Sequence, residues 1–164
     1  MTESDTKPGG PALTDPETRS RICRLAFGGD EARFQQFLDA LHEVIPPDVT
    51  IILRGSAVTG TRWVDGAPFD ADGPGTSDLD LTFVGGDMVK LFESFYIPSL
   101  HSVPLSDDHP DASPALSPLR RALCTIAGRP VNIQATSDLV QYVRDVTMNQ
   151  PYFVLAEKRE RADA

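Results

Sequence analysis

The chain has 164 residues, with 24 acidic side chains against 15 basic ones and a net charge of −9. This length predicts one domain, and an apolar share of 40% indicates a globular protein rather than a disordered or collagenous one. The acidic balance argues against a protein that coats nucleic acid, since phosphate binding requires clustered Lys and Arg. We therefore expect no duplex nucleic acid as a partner.

The sequence has no pattern that would direct it to a membrane or to an oxidising compartment. Residues 1–5 (MTESD) have neither the basic nor the apolar region of a signal peptide. No apolar run approaches the roughly 18 residues that a membrane-spanning helix needs. Cys23 and Cys124 lie far apart without a CxxC pattern, and we interpret both as buried, reduced thiols. These features predict a cytoplasmic protein with no membrane partner.

Proline and glycine content divides the chain into segments. Residues 1–13 are polar and rich in both, which predicts a disordered tail. Residues 14–164 are predicted to form a single domain with its core at 30–146. Two stretches rich in Gly, Pro, Ser or Asp, 63–76 and 98–118, are predicted to be loop insertions in that domain.

The first half of the domain predicts two helices and a buried strand. Asp15 and Asp30 can each cap a helix, and Gly28 can end the first of them. The second helix carries apolar residues at helical spacing and stops before Pro46. The near-continuous apolar run Val49–Leu53 is typical of a central, buried strand.

Three strands and a helix are the main predictions for the second half. They are the strands Asp78–Val84, Leu119–Ala127 and Val131–Ala135, followed by a helix that Thr136 or Ser137 could cap. The two-residue turn Gly128-Arg129 would join the last two strands as a hairpin. Together with Val49–Leu53, these strands predict an α/β (α+β) fold in which helices flank a mixed β-sheet of about four to five strands.

Asp78 and Asp80 open a predicted strand and carry the clearest chemical signal. Side chains at positions i and i+2 of a strand point to the same face, so the two carboxylates project together. Two carboxylates a few ångströms apart repel each other unless a cation lies between them. Oxygen ligands of this kind suit Mg²⁺ or Mn²⁺, and we expect both residues to bind metal and to be catalytic.

Gly55 and Ser56 follow the buried strand and form the second signal. Backbone N–H groups exposed at such a turn can hold phosphate oxygens, and the Ser56 hydroxyl adds a donor. A short helix after the turn, ending at Arg62, would direct its positive end to the same place. We therefore expect Gly55, Ser56 and Arg62 to bind a nucleotide. The other arginines considered as phosphate partners are Arg54, Arg120, Arg121 and Arg129.

The order of these features resembles the nucleotidyltransferase superfamily of the DNA polymerase beta type. In that family an apolar strand leads to Gly-Ser, often to a later Gly-Thr, and then to Asp-x-Asp at the head of the next strand. Here the pattern reads Leu53-Arg54-Gly55-Ser56, Gly60-Thr61 and Asp78-Leu79-Asp80. The resemblance covers roughly residues 30–146.

This resemblance implies a cofactor and a reaction. In the family the two Asp bind two Mg²⁺ ions, which align a nucleoside triphosphate for attack by a hydroxyl, and the Gly-Ser turn holds the outer phosphates. For this chain it implies transfer of a nucleoside monophosphate to a hydroxyl of a small molecule, a protein or an RNA end. Little chain follows residue 146 to form an acceptor site, so a protein partner could be required.

The chain departs from the family pattern in two places. The link between Ser56 and Asp78 holds 21 residues (57–77), longer than usual, which places the insertion 63–76 at the mouth of the proposed site. The family's third carboxylate corresponds to Asn132, on the same face of its strand as Gln134. Asn132 has the shape of Asp but carries no charge and cannot accept the hydroxyl proton.

Asn132 leaves three classes of function open. The chain could be an active metal-dependent transferase, with Asn132 in the catalytic set beside the two Asp. It could be a catalytically degenerate domain that binds nucleotide without turnover, or a protein-interaction module such as a toxin–antitoxin partner. Asp138 could supply the missing acid, although its place in the first turn of a helix explains it without chemistry.

Other interpretations of the acidic residues are weaker. The run Asp78–Thr82 is similar to the opening motif of haloacid dehalogenase-like phosphatases, but there the apolar strand precedes the Asp, and here it follows. Asp78 and Asp80 could also lie at a solvated strand end beside an ordinary turn. Asp107, Asp108, His109 and Asp111 form a further cluster, which we interpret as a solvated acidic loop.

Overall fold

The computed structural model describes residues 12–93, 95–97 and 100–157. Its helices are α1 (Pro16–Phe27), α2 (Glu31–Val44), α3 (Ser56–Thr59), α4 (Gly86–Val89), α5 (Ser117–Ala127) and α6 (Leu139–Asp145). Its strands are β1 (Ala12–Leu13), β2 (Thr50–Arg54), β3 (Leu79–Val84), β4 (Phe95–Ile97), β5 (His101–Ser102), β6 (Val131–Thr136) and β7 (Tyr152–Ala156).

The seven strands of these described ranges join one mixed sheet in the order β1-β7-β2-β3-β6-β5-β4. Strand β2 is antiparallel to β3, and β3 is parallel to β6. The predicted α+β architecture with a mixed sheet is confirmed. The sheet has more strands than predicted because β1, β4 and β5 are only two or three residues long. Strands this short have no periodicity that a sequence pattern can reveal.

Helices cover both faces of the sheet. Helices α1, α2 and α5 supply one side of the main hydrophobic core, where the ring of Phe27 lies 4.9 Å from that of Phe34 and 5.2 Å from that of Phe37. Helix α6 packs on the opposite face, where Tyr142 is fully buried against Ile52 in a smaller cluster. Alternate side chains of β2 therefore pack into two separate hydrophobic clusters, one on each face of the sheet.

The ends of α1 and α2 follow the predicted capping pattern. The Asp15 carboxylate accepts a hydrogen bond from the Thr18 backbone N–H at 2.8 Å. Asp30 likewise accepts from the Arg33 backbone N–H at 3.1 Å. Gly28 ends α1 in the left-handed conformation, with φ of +63°. The expectations for both helices are confirmed because each depended on a contact within three residues along the chain.

The predicted hairpin around Gly128-Arg129 is wrong. Residues Ser117–Ala127 form the helix α5, and Gly128 caps its C-terminus with φ of +68°. Leu119, Leu123 and Ala127 lie four residues apart and bury one face of this helix. Because β6 runs parallel to β3, the connection between these two strands must cross over the sheet, and α5 is part of that crossover.

Helix α6 begins one or two residues later than predicted. Its cap is Asp138, whose carboxylate accepts a hydrogen bond from the Gln141 backbone N–H at 3.1 Å, rather than Thr136 or Ser137. Thr136 is the last residue of β6 and is buried there. The capping role accounts for Asp138, which is not among the residues that line the candidate site.

The predicted tail and loops contain short strands. Ala12 and Leu13, assigned to the tail 1–13, pair with β7, and residues 1–11 lie outside the described residues. In the predicted loop 98–118, β5 pairs with β6, and the segment from 117 is helical.

Within the described ranges no helix is long and apolar enough to cross a membrane. Both cysteines are free, and Cys23 is buried as predicted, whereas Cys124 is only half-buried on α5.

Candidate functional site

Asp78, Asp80 and Asn132 lie together at the start of two parallel strands. The register pairs Asp80 of β3 with Asn132 of β6, so their side chains share the α6 face of the sheet. The Asn132 side-chain amide donates to Asp78 Oδ2 at 2.8 Å and to Asp80 Oδ1 at 3.0 Å. The two carboxylates therefore converge on one point, which the Nδ2 atom of Asn132 occupies.

This convergence fits a divalent cation. Two carboxylate oxygens lie within 3.0 Å of one neutral amide nitrogen, and oxygens that converge in this way could also bind a metal ion. A rotation of the Asn132 amide would present its oxygen in place of its nitrogen and add a third oxygen ligand. In the part of the chain that the structure describes, no group of three His, Cys, Asp or Glu side chains could hold a metal. The set suits Mg²⁺, which completes its coordination with water and phosphate oxygens.

The two carboxylates differ in their surroundings. Asp78 is exposed just before β3, whereas Asp80 is half-buried as the second residue of that strand. Burial raises the pKa of the Asp80 carboxyl above its ordinary value, although the nearby Arg54 guanidinium acts in the opposite direction. The Asp78 carboxylate raises this pKa further. A cation between the two carboxylates would relieve both effects.

Gly55 and Ser56 lie directly beside this pair. Gly55 has φ of +102°, and a Cβ atom at this position would lie 3.2 Å from Asp80 Oδ2. Ser56 is the first residue of α3, and the first N–H groups of a helix have no partner within it. The structure therefore brings the predicted phosphate turn next to the predicted metal site, where the positive φ favours glycine and an added Cβ atom would crowd the Asp80 carboxylate.

Two clefts meet at the carboxylate pair. One, of about 420 Å³, contains Gly55, Ser56 and both carboxylates, and its walls include Trp63 and Gln150. The other, of about 460 Å³, contains both carboxylates together with Pro104, Ser106, Asp107, Asp108, His109, Pro130 and Asn132. Such an arrangement provides space for one molecule on each side of the carboxylate pair.

Arg62 lines the first cleft, but its guanidinium is already paired. It donates to Asp65 at 3.1 and 3.2 Å and to Asp72 at 3.0 Å. Two carboxylates therefore balance its charge within the insertion 63–76. This geometry favours a role in holding the loop in place over the predicted direct contact with phosphate.

Arg54 is the arginine that the strand pairing places directly opposite one of the two carboxylates, Asp80. It pairs with Asp80 across β2 and β3, so both side chains share a face. Its Nε donates to the Tyr142 hydroxyl at 3.1 Å. That hydroxyl donates to Gln134 Oε1 at 2.7 Å and contacts the Thr82 hydroxyl at 2.9 Å. This buried network fixes Arg54 at the floor of the cleft.

Arg129, another arginine considered as a phosphate partner, instead makes a buried ion pair with Asp70. Its two terminal nitrogens donate to Asp70 at 2.8 and 3.2 Å, and it also donates to the Ser77 carbonyl at 2.9 Å. Asp70 in turn accepts from the Ser77 and Gly75 backbone N–H groups. Together these bonds fix the segment 70–77 that leads into Asp78.

The remaining arginine candidates lie away from the first cleft. Arg120 donates to the Val131 carbonyl at 2.6 Å and to Asp107 at 2.8 Å. Arg121 is exposed on α5. The sequence alone does not predict the hydrogen-bond network around Arg54 or the Asp70–Arg129 ion pair. It predicts only that Gln134 shares a face of its strand with Asn132.

Comparison of the chain with protein-family models, with curated proteins and with solved structures gives no match.

Proposed function

We propose that this protein is a metal-dependent nucleotidyltransferase, which moves a nucleoside monophosphate from a nucleoside triphosphate to a hydroxyl acceptor. The observation that carries the proposal is the convergence of the Asp78 and Asp80 carboxylates on one point beside the Gly55 turn. Asp78 and Asp80 would hold Mg²⁺ or Mn²⁺. The Gly55-Ser56 turn would hold the outer phosphates in the first cleft.

The bound cation would neutralise phosphate charge and lower the pKa of the attacking hydroxyl. The hydroxyl oxygen forms a new bond to the α-phosphorus, and the bond between the α- and β-phosphoryl groups breaks to release pyrophosphate. Arg54, fixed by Tyr142, would place a positive charge beside the carboxylates at the floor of the cleft. Asn132 cannot accept the proton, so the proton must leave through a carboxylate or through water.

The second cleft would receive the acceptor. Asp108 and Asp107, the latter paired with Arg120, lie on its wall beside the carboxylates of Asp78 and Asp80. These charges disfavour an acceptor that carries phosphates near its hydroxyl, such as an RNA end. Within the acceptors predicted from the sequence, the cleft therefore favours a small molecule or a protein side chain.

A nucleotide-binding domain without turnover is the second candidate. The observation that favours it is the Asn132 amide, which bridges the two carboxylates in the place where a cation would lie. In that case the chain would still bind metal and nucleotide, and a protein partner would respond to the bound state. The protein-interaction module and the cytoplasmic location stay predictions.

An assay of label transfer separates these candidates. The protein is incubated with each α-labelled nucleoside triphosphate, with Mg²⁺ or Mn²⁺, and with cell extract as the acceptor source. The double variant Asp78→Ala/Asp80→Ala is the control, and circular dichroism checks that it is folded. Label that only the unmodified protein transfers supports the transferase. Metal-dependent nucleotide binding without transfer supports the binding domain, and absence of both contradicts the two proposals.

A further inference from the structure

Trp63 is exposed at the mouth of the candidate nucleotide cleft. It is the single tryptophan of the chain, and 56% of its surface is accessible to solvent. Tryptophan is highly buried on average in folded proteins, because its ring carries a large apolar surface. The same cleft contains Ser56 and Asp78, so the exposed indole lies on the wall of the space that would hold a nucleotide.

The loop that carries Trp63 is held in place by its own hydrogen bonds. Arg62 N–H donates to the Ala67 carbonyl at 2.7 Å, and Phe69 N–H donates to the Gly60 carbonyl at 3.1 Å. The Arg62 guanidinium ties the loop to Asp65 and Asp72. A ligand that contacts Trp63 would therefore meet a surface whose backbone is already ordered, which reduces the entropy lost on binding.

The cleft provides the groups that a nucleotide requires at each end. Gly55 and Ser56 lie at the end beside the carboxylates, and Trp63 and Val64 form its apolar wall. Gln150 lies on the same lining and could hydrogen-bond the edge of a base. A volume of about 420 Å³ is within the range of small-molecule sites.

We propose that the indole of Trp63 is the stacking platform for the nucleobase of the bound nucleoside triphosphate. This inference rests on the proposed nucleotide site and adds to it the residue that recognises the base. Every nucleobase has a π face, so the stacking contact itself discriminates little among the four bases. Arg62 is then a positioning residue, which acts by holding the loop of Trp63.

Tryptophan fluorescence tests the stacking directly, since no other tryptophan contributes to the signal. The protein in Mg²⁺ is titrated with each of the four nucleoside triphosphates and with inorganic tripolyphosphate, which has no base. We expect the nucleotides to quench the emission and tripolyphosphate to leave it nearly unchanged. Equal quenching by tripolyphosphate would contradict stacking.

Variants of the exposed loop give a second readout. Trp63→Ala is expected to weaken nucleotide binding roughly tenfold or more in equilibrium dialysis, and Trp63→Phe to retain most of the affinity. Tripolyphosphate binding should be the same in all three proteins. Val140→Ala, which truncates an exposed apolar side chain on α6 outside both clefts, is the control and should bind like the unmodified protein.

The two proposals fail in different ways. If the unmodified protein binds nucleotide and Trp63→Ala binds it equally well, the stacking inference is wrong and the nucleotide site remains. If the unmodified protein binds neither nucleotide nor tripolyphosphate in Mg²⁺, the proposed function is wrong and the inference falls with it.

Discussion

Gly55 and Asp80 approach so closely that a Cβ atom on Gly55 would lie 3.2 Å from Oδ2 of Asp80. The close approach results from the pairing of the ends of β2 and β3, where Arg54 lies opposite Asp80. The turn after β2 also requires φ of +102°, a conformation that residues other than glycine rarely adopt. The two halves of the candidate site thus depend on one glycine.

Gly55→Ala should impair both the fold and the site. The positive φ should cost about 1–3 kcal/mol of stability, and the new methyl group should displace the Asp80 carboxylate. Gly60→Ala is the matched control at the other end of α3. Gly60 has φ of +88°, but its Cβ would meet the nearest atom, Arg21 Cδ, at an ordinary 3.9 Å. Urea denaturation should show losses of similar size, whereas nucleotide binding should fall only for Gly55→Ala. Equal binding by both variants would contradict the steric argument.

The buried Asp70–Arg129 pair should contribute to stability in a pH-dependent way. Burial alone would raise the pKa of Asp70, but hydrogen bonds from Arg129, Ser77 and Gly75 lower it below its ordinary value of 3.8. A carboxyl with a lowered pKa stabilises the fold above its ordinary pKa, and this stabilisation is lost as pH falls through the folded pKa. Asp70→Asn should therefore cost more stability at pH 7 than at pH 3, where part of this stabilisation is already lost.

Denaturation by urea at pH 7 and pH 3 measures this effect. We expect a loss of about 2–3 kcal/mol at pH 7, below the full range for buried pairs because the Asp70 side chain is 22% exposed. Asp65→Asn breaks an exposed pair with Arg62, in which the Asp65 side chain is 52% exposed, and should change stability little. A loss for Asp70→Asn that is the same at both pH values would exclude the charge as its cause.

Local patterns were sufficient to predict the N-terminal caps of α1 and α2 and the common face of the carboxylate pair. Asp15 and Asp30 bond backbone groups three residues later, which a sequence displays directly. Asp78 and Asp80 share a face because strand side chains alternate. By contrast, Gly128 after an apolar run can end a helix or open a hairpin, and only the spacing of Leu119, Leu123 and Ala127 distinguishes them.

Local sequence patterns cannot predict the long-range contacts that fix the candidate site. Asp70 and Arg129 are 59 positions apart, and Arg54 and Tyr142 are 88 positions apart. Their pairing depends on the crossover that brings β6 beside β3, which follows from the complete fold and not from any local segment.

Asp80→Asn should stabilise the metal-free protein at neutral pH. Folding raises the pKa of Asp80, so its negative charge destabilises the fold above the ordinary pKa of 3.8, and protonation relieves this effect as pH falls. The variant removes the charge but keeps an oxygen that can accept from Asn132. Thermal melts in EDTA should show a higher Tm for the variant at pH 7 and a smaller difference at pH 3.5. A lower Tm at pH 7 would contradict the unfavourable charge.

Asn132→Asp should lower the stability of the metal-free protein and raise its affinity for a divalent cation. The substitution replaces two N–H donors by a third carboxylate, which should cost about 2 kcal/mol without a cation. Mn²⁺ should recover that loss and, in the active transferase, increase the transfer rate. Asn132→Ala loses the same hydrogen bonds without adding a third carboxylate, so Mn²⁺, held by Asp78 and Asp80 alone, should stabilise it less than Asn132→Asp. An equal gain in stability of both variants on addition of Mn²⁺ would indicate that the cation binds away from residue 132.

The central claim is that Asp78 and Asp80 hold a divalent cation together with a nucleotide. Electron paramagnetic resonance of free Mn²⁺, titrated with protein and compared with a protein-free blank that contains the same non-hydrolysable nucleoside triphosphate analogue, measures the binding that the protein adds. We predict that the unmodified protein binds Mn²⁺ and that Asp78→Asn/Asp80→Asn weakens this binding at least tenfold, with its circular dichroism spectrum unchanged. Equal Mn²⁺ binding by the folded double variant, or no binding by the unmodified protein, would contradict the account.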